Sequence, residues 1–289
     1  MLREISKRSF FEALKTSDPG YALVNWSVAQ VGADVWLVNL ICGAIFTWGL
    51  IRFARIQERP WLAVLIAVPY LVTVVAMGYT RQSVSIGLVM AGFASYSKHG
   101  SSVRFALYVL AAATFHKSAV IALPLVALGD HRSIVISSIL TAAMTYLFFT
   151  YFLSSSMELL VENYIDTRYS SQGAGIRVAM TTIPALLYIL RARTLGLSDR
   201  ERRIWRNMSL AALGLVPALF IVPSSTAVDR IALYLLPIQM VVLSRPRVIG
   251  HGNLAIAVVI AYSALVLIVW LNFAVHARLW IPYRLWPMY

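Results

Sequence analysis

The chain has 289 residues, 60% hydrophobic and 13% charged, with a formal net charge of +13. Soluble domains carry about 25% charged residues, so this composition excludes an ordinary soluble enzyme and describes a polytopic membrane protein. The positive surplus does not indicate nucleic acid, because the basic residues fall mainly in short loops between apolar runs, where the positive-inside rule places them.

The first 33 residues are polar and carry Arg3, Lys7, Arg8 and Lys15, with no signal-peptide apolar region after Met1. Apolar stretches suited to helices follow at 34–51, 61–78, 82–97, 103–128, 133–153, 176–195, 208–223, 231–244 and 254–275. The single cysteine, Cys42, lies in the first of these and leaves neither an intrachain disulfide nor a cysteine-based metal site. A straight span needs about 20 residues. The runs 82–97, 208–223 and 231–244 are shorter, which predicts tilt or breaks beside a polar cavity. In 103–128 an almost wholly apolar run carries His116 and Lys117 at its middle, an ionisable pair that costs a few kcal/mol in a bilayer unless it faces a cavity, partner or substrate. The expected fold is all-α: about eight transmembrane helices plus a broken or re-entrant helical element at 103–128.

Loop charges set the direction of each run. Arg191, Arg193, Arg200, Arg202, Arg203 and Arg206 oppose only Asp199 and Glu201, so the loop 196–207 is expected in the cytoplasm. That puts the large loop 154–175 outside, where Glu158, Glu162 and Asp166 outweigh Arg168. Arg52, Arg55 and Arg59, then Lys98, His99 and Arg104, then Arg245, Arg247 and His251 mark further inner loops. All four basic loops share one side only if 103–128 enters and returns. Two arms of ~12 residues would each reach ~18 Å, with Phe115 to Ser118 at the apex. Backbone that is not helical at such depth needs protein or water around it. The alternative is one long tilted span with parity repaired elsewhere. The chain thus divides into a periplasmic segment 1–33, a transmembrane domain 34–275 and an interfacial outer tail 276–289 bearing Trp280, Tyr283, Trp286 and Tyr289. An outer start with four basic residues is hard to translocate, so an additional upstream part ahead of Met1 is expected.

On this topology the polar residues gather in the outer half: Arg81 and Gln82, His116 and Lys117, Arg168, Tyr169 and Arg177, Asp229, Arg230 and Tyr234, and Arg278 and Arg284. Arginine forks bind phosphate oxygens bidentately, so an arginine-lined cavity beside hydrocarbon suits a lipid-linked pyrophosphate. His116 has the chemistry of a general base, with Lys117 lending charge. Simpler roles stand beside these. His116 fits a structural histidine, Arg81 a side chain snorkelling to headgroups, and Asp229–Arg230 a local ion pair. Glu158, Glu162 and Asp166, near helical spacing, read as a solvated face rather than an acid/base pair. There is no glycine-rich phosphate loop, metal-ligand spacing, G-x-S-x-G elbow or DxD-like carboxylate pair, which weighs against hydrolase, ATP-driven and metal-dependent readings.

The order of motifs is recognisable. Asp18-Pro19-Gly20-Tyr21 with Asn25 comes first, then Gly78-Tyr79-Thr80-Arg81-Gln82 and Phe115-His116-Lys117-Ser118-Ala119. Tyr169 precedes Gly173 to Arg177, and Asp229-Arg230 with Tyr234 leads to Trp280-Ile281-Pro282-Tyr283-Arg284. This ordered set, over essentially the whole chain, resembles the EpsG family of Wzy-like membrane proteins. The resemblance implies a metal-independent glycosyltransferase without a cofactor in a bacterial inner membrane, its site facing the periplasm. Such an enzyme polymerises undecaprenyl-pyrophosphate-linked repeat units into exopolysaccharide or O-antigen, with a chain-length regulator and a flippase as candidate partners. It further implies His116 and Arg81 as catalytic, and Gln82, Lys117, Tyr169, Arg177, Asp229, Arg230, Tyr234 and Arg284 as substrate-binding. Family members carry about two more helices and an arginine-bearing outer motif ahead of the Pro-Gly-Tyr segment. The chain departs there, which leaves the activity of this length of chain open. Two other classes stay in view. A flippase would need an inward-opening path, and a glycan acyltransferase would gather its cations at the cytoplasmic face, toward its acyl donor.

Overall fold

The computed structural model describes residue 5 and residues 9–14, 17–127, 173–221, 225–250 and 252–281. Among these residues every regular element is a helix. We number them α1 (Phe10–Leu14), α2 (Pro19–Gln30), α3 (Val35–Ala54) and α4 (Pro60–Ala67), which continues as a π-helical stretch Val68–Ala76. Next come α5 (Thr80–His99), α6 (Ser102–Phe115), a 3-10 turn (Lys117–Ala122) and α7 (Leu123–Ala127). After the segment outside the description come α8 (Ala174–Arg191), α9 (Asp199–Ile221), α10 (Ser225–Leu235), α11 (Pro237–Leu243) and α12 (Gly252–Phe273). Four of these segments are long and apolar enough to cross a membrane: Val35–Ala54, Ala174–Leu195, Asp199–Ile221 and Gly252–Phe273. The expected run 133–153, nearly all of the loop 154–175 and the tail beyond residue 281 lie outside the described residues.

The core is organised around α5, which is buried at nearly every position from Gln82 to Tyr96. Its small residues let a neighbour approach closely. A Cβ on Gly49 of α3 would lie 2.0 Å from the Gly87 carbonyl oxygen, and a Cβ on Gly87 would lie 2.7 Å from the Phe46 Cα. The two backbones therefore touch where side chains would normally stand, the packing that small residues permit between membrane helices. Phe53, Phe93, Phe105 and Trp205 fill the layer below with mutual ring contacts of 5.0 to 6.5 Å between centroids.

The basic connections meet at one end of the bundle. Arg245 is buried there; its Nε donates to the Leu195 carbonyl at 3.1 Å, and its Nη1 donates to Gln57 Oε1 at 3.0 Å. Arg247 pairs with Glu58 at 2.9 Å. The Arg200 guanidinium lies over the Tyr96 ring at 5.7 Å and against Gly100, whose left-handed backbone ends α5. Connections that are far apart in sequence thus share one end, as their common charge sign requires in a bilayer.

The structure differs from the sequence reading in two places. The stretch 208–223 is not a short span, because α9 begins at Asp199. Ser198 and Glu201 form a capping box, with Ser198 N–H donating to Glu201 Oε2 at 3.1 Å and Glu201 N–H to Ser198 Oγ at 3.4 Å. The expected loop 196–207 is therefore mostly the charged first turns of that helix, since apolarity marks the hydrocarbon-crossing part and not the helix end. The 82–97 run is likewise a full 20-residue helix, its ends too polar to register as a span. Within the N-terminal segment, α2 docks on α3 and α6, with Val28, Val38, Cys42 and Val84 forming a small core.

The 103–128 element is broken at His116. Ser101 caps α6 through the Arg104 N–H at 3.2 Å, and α6 runs about 21 Å from the basic end to Phe115. His116 then takes an extended backbone (φ −158°, ψ 115°). Beyond the 3-10 turn, the Leu125 carbonyl accepts a hydrogen bond from Asn207 Nδ2 at 3.1 Å. Asn207 follows the arginine turns of α9, so the chain has turned back toward the basic end by residue 125. The 231–244 run is also broken, at Pro237, which has no N–H to continue the ladder from α10 into α11.

Candidate functional site

At the end opposite the basic connections, four chain segments bring their polar residues together. α5 opens there, and Arg81, Gln82 and Ser85 sit on its first turns at helical spacing. α10 presents Asp229, Arg230 and Tyr234, the last two one helical turn apart. The break after α6 supplies His116. The start of α2 supplies Asp18, and it can come this close because position 20 is glycine: a Cβ there would lie 2.5 Å from Thr114 Oγ1 and 3.0 Å from the Phe115 ring.

The central contacts form a chain of hydroxyl and imidazole groups. Tyr234 is fully buried, and its hydroxyl lies 2.9 Å from Ser85 Oγ and 3.4 Å from His116 Nδ1. A buried tyrosine hydroxyl needs partners, and here one comes from α5 and the other from the break after α6. Gln82 Nε2 donates to the Arg230 carbonyl at 3.2 Å, tying the start of α5 to α10. The charges that act on the His116 imidazole are Arg230 first and Arg81 second. The Lys117 side chain is exposed and makes no hydrogen bond or ion pair among the described residues.

Arg81 projects outward. Its Nη1 donates to Asp18 Oδ2 at 3.0 Å, with half of the arginine side chain still exposed, and its guanidinium lies over the Tyr21 ring at 5.8 Å. Asp18 stands at the N-cap position of α2 yet makes no capping hydrogen bond. An aspartate there normally bonds the first-turn N–H groups for about 1 kcal/mol; here the carboxylate is turned to Arg81. The Arg230 side chain is also exposed.

A second, buried group lies directly beside the first. Arg177 Nε contacts Asp229 Oδ1, both side chains being about one-tenth exposed, and Arg177 Nη1 donates to the Tyr70 hydroxyl at 2.9 Å. Tyr70 lies in the π-helical stretch, next to Pro69, whose missing N–H interrupts the α ladder and rotates the residues that follow. Asp229 therefore pairs with Arg177 from α8 and not with its neighbour Arg230. Trp280 closes this end: its indole N–H donates to the Thr73 carbonyl at 2.9 Å, its ring packs on Gly78, and it meets Trp270 edge-on at 5.1 Å.

Of the residues singled out in sequence, Arg81, Gln82, His116, Arg230 and Tyr234 converge, Arg177 and Asp229 form the adjoining ion pair, and Lys117 stands apart. Tyr169 and Arg284 lie outside the described residues. Asp18 and Tyr21 stood in the first motif of the resemblance without an assigned role, and Ser85 and Tyr70 were not singled out. Ser85 carried a signal, one helical turn beyond Arg81 and Gln82. Asp18 reads locally as an ordinary helix cap, and nothing local points Tyr70 at Arg177, 107 residues away. Among the described residues no three His, Cys, Asp or Glu side chains gather as metal ligands do.

The arrangement offers two outward guanidinium groups beside a histidine whose Nδ1 is engaged by a tyrosine. It can hold an anionic group next to a base. The EpsG family model matches residues 2–285, essentially the whole chain. Neither a curated protein nor a solved structure matches.

Proposed function

Because the chain belongs to the EpsG family, we propose that it joins lipid-linked oligosaccharide repeat units into a polysaccharide, with undecaprenyl pyrophosphate as the carrier. The observation that supports this most is the convergence of Arg81, Arg230 and His116 at the end of the bundle opposite the basic connections. That end faces the periplasm of a bacterial plasma membrane if the positive-inside rule orients the chain.

In this reading the exposed forks of Arg81 and Arg230 hold the two phosphates of the donor, and Tyr21 backs Arg81. Asp18 occupies Arg81 until the phosphate replaces it. The acceptor sugar hydroxyl attacks the anomeric carbon of the donor glycan. The bond from that carbon to the pyrophosphate oxygen breaks, and the carrier leaves with the electron pair. The hydroxyl proton passes to His116 Nε2, because Nδ1 is turned to Tyr234. Guanidinium charge stabilises the departing pyrophosphate in a low-dielectric site where such contacts are strong. Arg177 and Asp229 neutralise each other, and their role is to hold the start of α10, and so Arg230 and Tyr234, in place. Gln82 does the same through the Arg230 carbonyl.

The test is chain lengthening of a purified lipid-linked repeat unit. Replacing His116 with Ala should slow elongation by roughly 10²–10⁴-fold while repeat units accumulate. A normal polymer length distribution in that variant would refute the base role. Lipid moved across the bilayer without a longer glycan would replace the polymerase reading by a transporter, and an acylated sugar by an acyltransferase.

A further inference from the structure

The basic end of the bundle holds a cavity that the proposed reaction does not use. It measures about 480 Å³ and lies between the last turns of α8 and the first turns of α9, lined by Tyr188, Ile189, Ala192, Asp199, Arg202, Arg203 and Arg206. Asp199, Arg202, Arg203 and Arg206 follow the i, i+3, i+4, i+7 spacing of one helical face. Three guanidinium groups therefore share one wall with a single carboxylate, and Asp199 pairs with Arg202. The arginine turn is fixed to α8 by the Tyr188 hydroxyl, which donates to the Arg202 carbonyl at 2.6 Å.

The cavity is not only a charged surface. Its other wall is apolar, and that wall continues outward along α8, where Ile183, Leu186, Ile189 and Leu190 are exposed. On α9, Leu210 lies one turn beyond Arg206 on the same face and is also exposed. A concave guanidinium site thus opens onto two apolar strips that point into the hydrocarbon. A free anion would use only the first feature; a lipid phosphate with acyl chains uses both.

We propose that this cavity binds the phosphate of an anionic phospholipid, with Arg203 and Arg206 on the headgroup and the acyl chains along the α8 and α9 strips. Basic pockets between membrane helices at the positively charged face are suited to such headgroups. The site is separate from the cluster around His116 and stands whether or not that cluster polymerises glycans.

The test titrates short-chain phosphatidylglycerol and phosphatidylcholine against the whole purified protein in neutral detergent, with bound lipid counted by native mass spectrometry. Phosphatidylglycerol should bind in preference. Arg206→Gln, at an exposed position, should weaken it roughly fivefold, and Arg203→Gln with Arg206→Gln roughly 30-fold. Arg55→Gln with Arg104→Gln removes the same charge from the same face and should change it by less than about twofold. Equal loss in the two double variants would overturn the proposal, leaving only a diffuse positive surface. So would equal binding of phosphatidylcholine, or displacement of the lipid by equimolar inorganic phosphate, which would mark a free-anion site.

Discussion

α5 and α12 are of similar length, and they invert the rule that holds in water. α12 is the most apolar of the four candidate spans and the least buried within the protein. α5 is not apolar enough to be among the four, yet it is buried at nearly every position from Gln82 to Tyr96, with Gln82, Ser83, Ser85 and Ser95 all enclosed. In a bilayer the solvent is hydrocarbon, so an apolar helix gains nothing by retreating inside, whereas a polar one needs protein partners for its side chains. Between these two helices, apolarity marks the exposed wall and polarity the enclosed centre.

That contrast can be broken most severely by bulk. Gly87→Leu would drive a side chain into the Phe46 backbone, where neither helix can yield, and should abolish recovery of folded protein from detergent. Ala261→Leu, at an exposed position of α12, should leave the melting temperature within the shift expected of about 0.5 kcal/mol. If both substitutions are tolerated alike, α5 is not the packed centre.

A charge tests the other side of the comparison. Leu265 of α12 is 58% exposed, and an exposed leucine in water accepts a charge at little cost. If α12 faces lipid, Leu265→Arg should cost about 2.5–3.5 kcal/mol in membrane insertion, measured with a translocation reporter. Unchanged insertion would remove α12 from the lipid boundary. The smallest effects come from single hydroxyls. Tyr262 of α12 donates to Gln239 at 3.1 Å, and Tyr262→Phe should cost about 0.6 kcal/mol of stability with no change in turnover. Ser85→Ala removes a comparable bond on α5 but should also slow elongation, because it leaves the Tyr234 hydroxyl with only the longer contact to His116. Equal effects on turnover would mean that Tyr234 does not position the imidazole.

The site was readable to the extent that its residues were out of place locally. His116 in an apolar run and Arg81 at the outer end of a helix are each costly without a purpose, and both proved to be at the cluster. The role of Asp18 was hidden because an aspartate before Pro19 is ordinary in a helix cap, and its partner lies 63 residues away. Tyr70 was hidden because a tyrosine in an apolar run is ordinary at a membrane interface. The arginine turns of α9 read locally as a loop because hydropathy is blind to a helix that continues past the hydrocarbon edge.

Amino-acid order alone determines the all-helical membrane class and the sign of charge at each connection, and it flags His116 as costly where it stands. Those follow from the cost of placing charge, or unpaired backbone, in hydrocarbon, which acts on each segment by itself. Which helix ends meet was decided only by the tertiary structure. The Gly49–Gly87 contact sets how closely α3 and α5 cross, Gly20 lets α2 reach the break, and Pro69 precedes the Tyr70 that meets Arg177. The Asp18–Arg81 and Arg177–Asp229 pairings follow from that packing. Their physical reason is steric fit between distant segments, which no local pattern of polarity records.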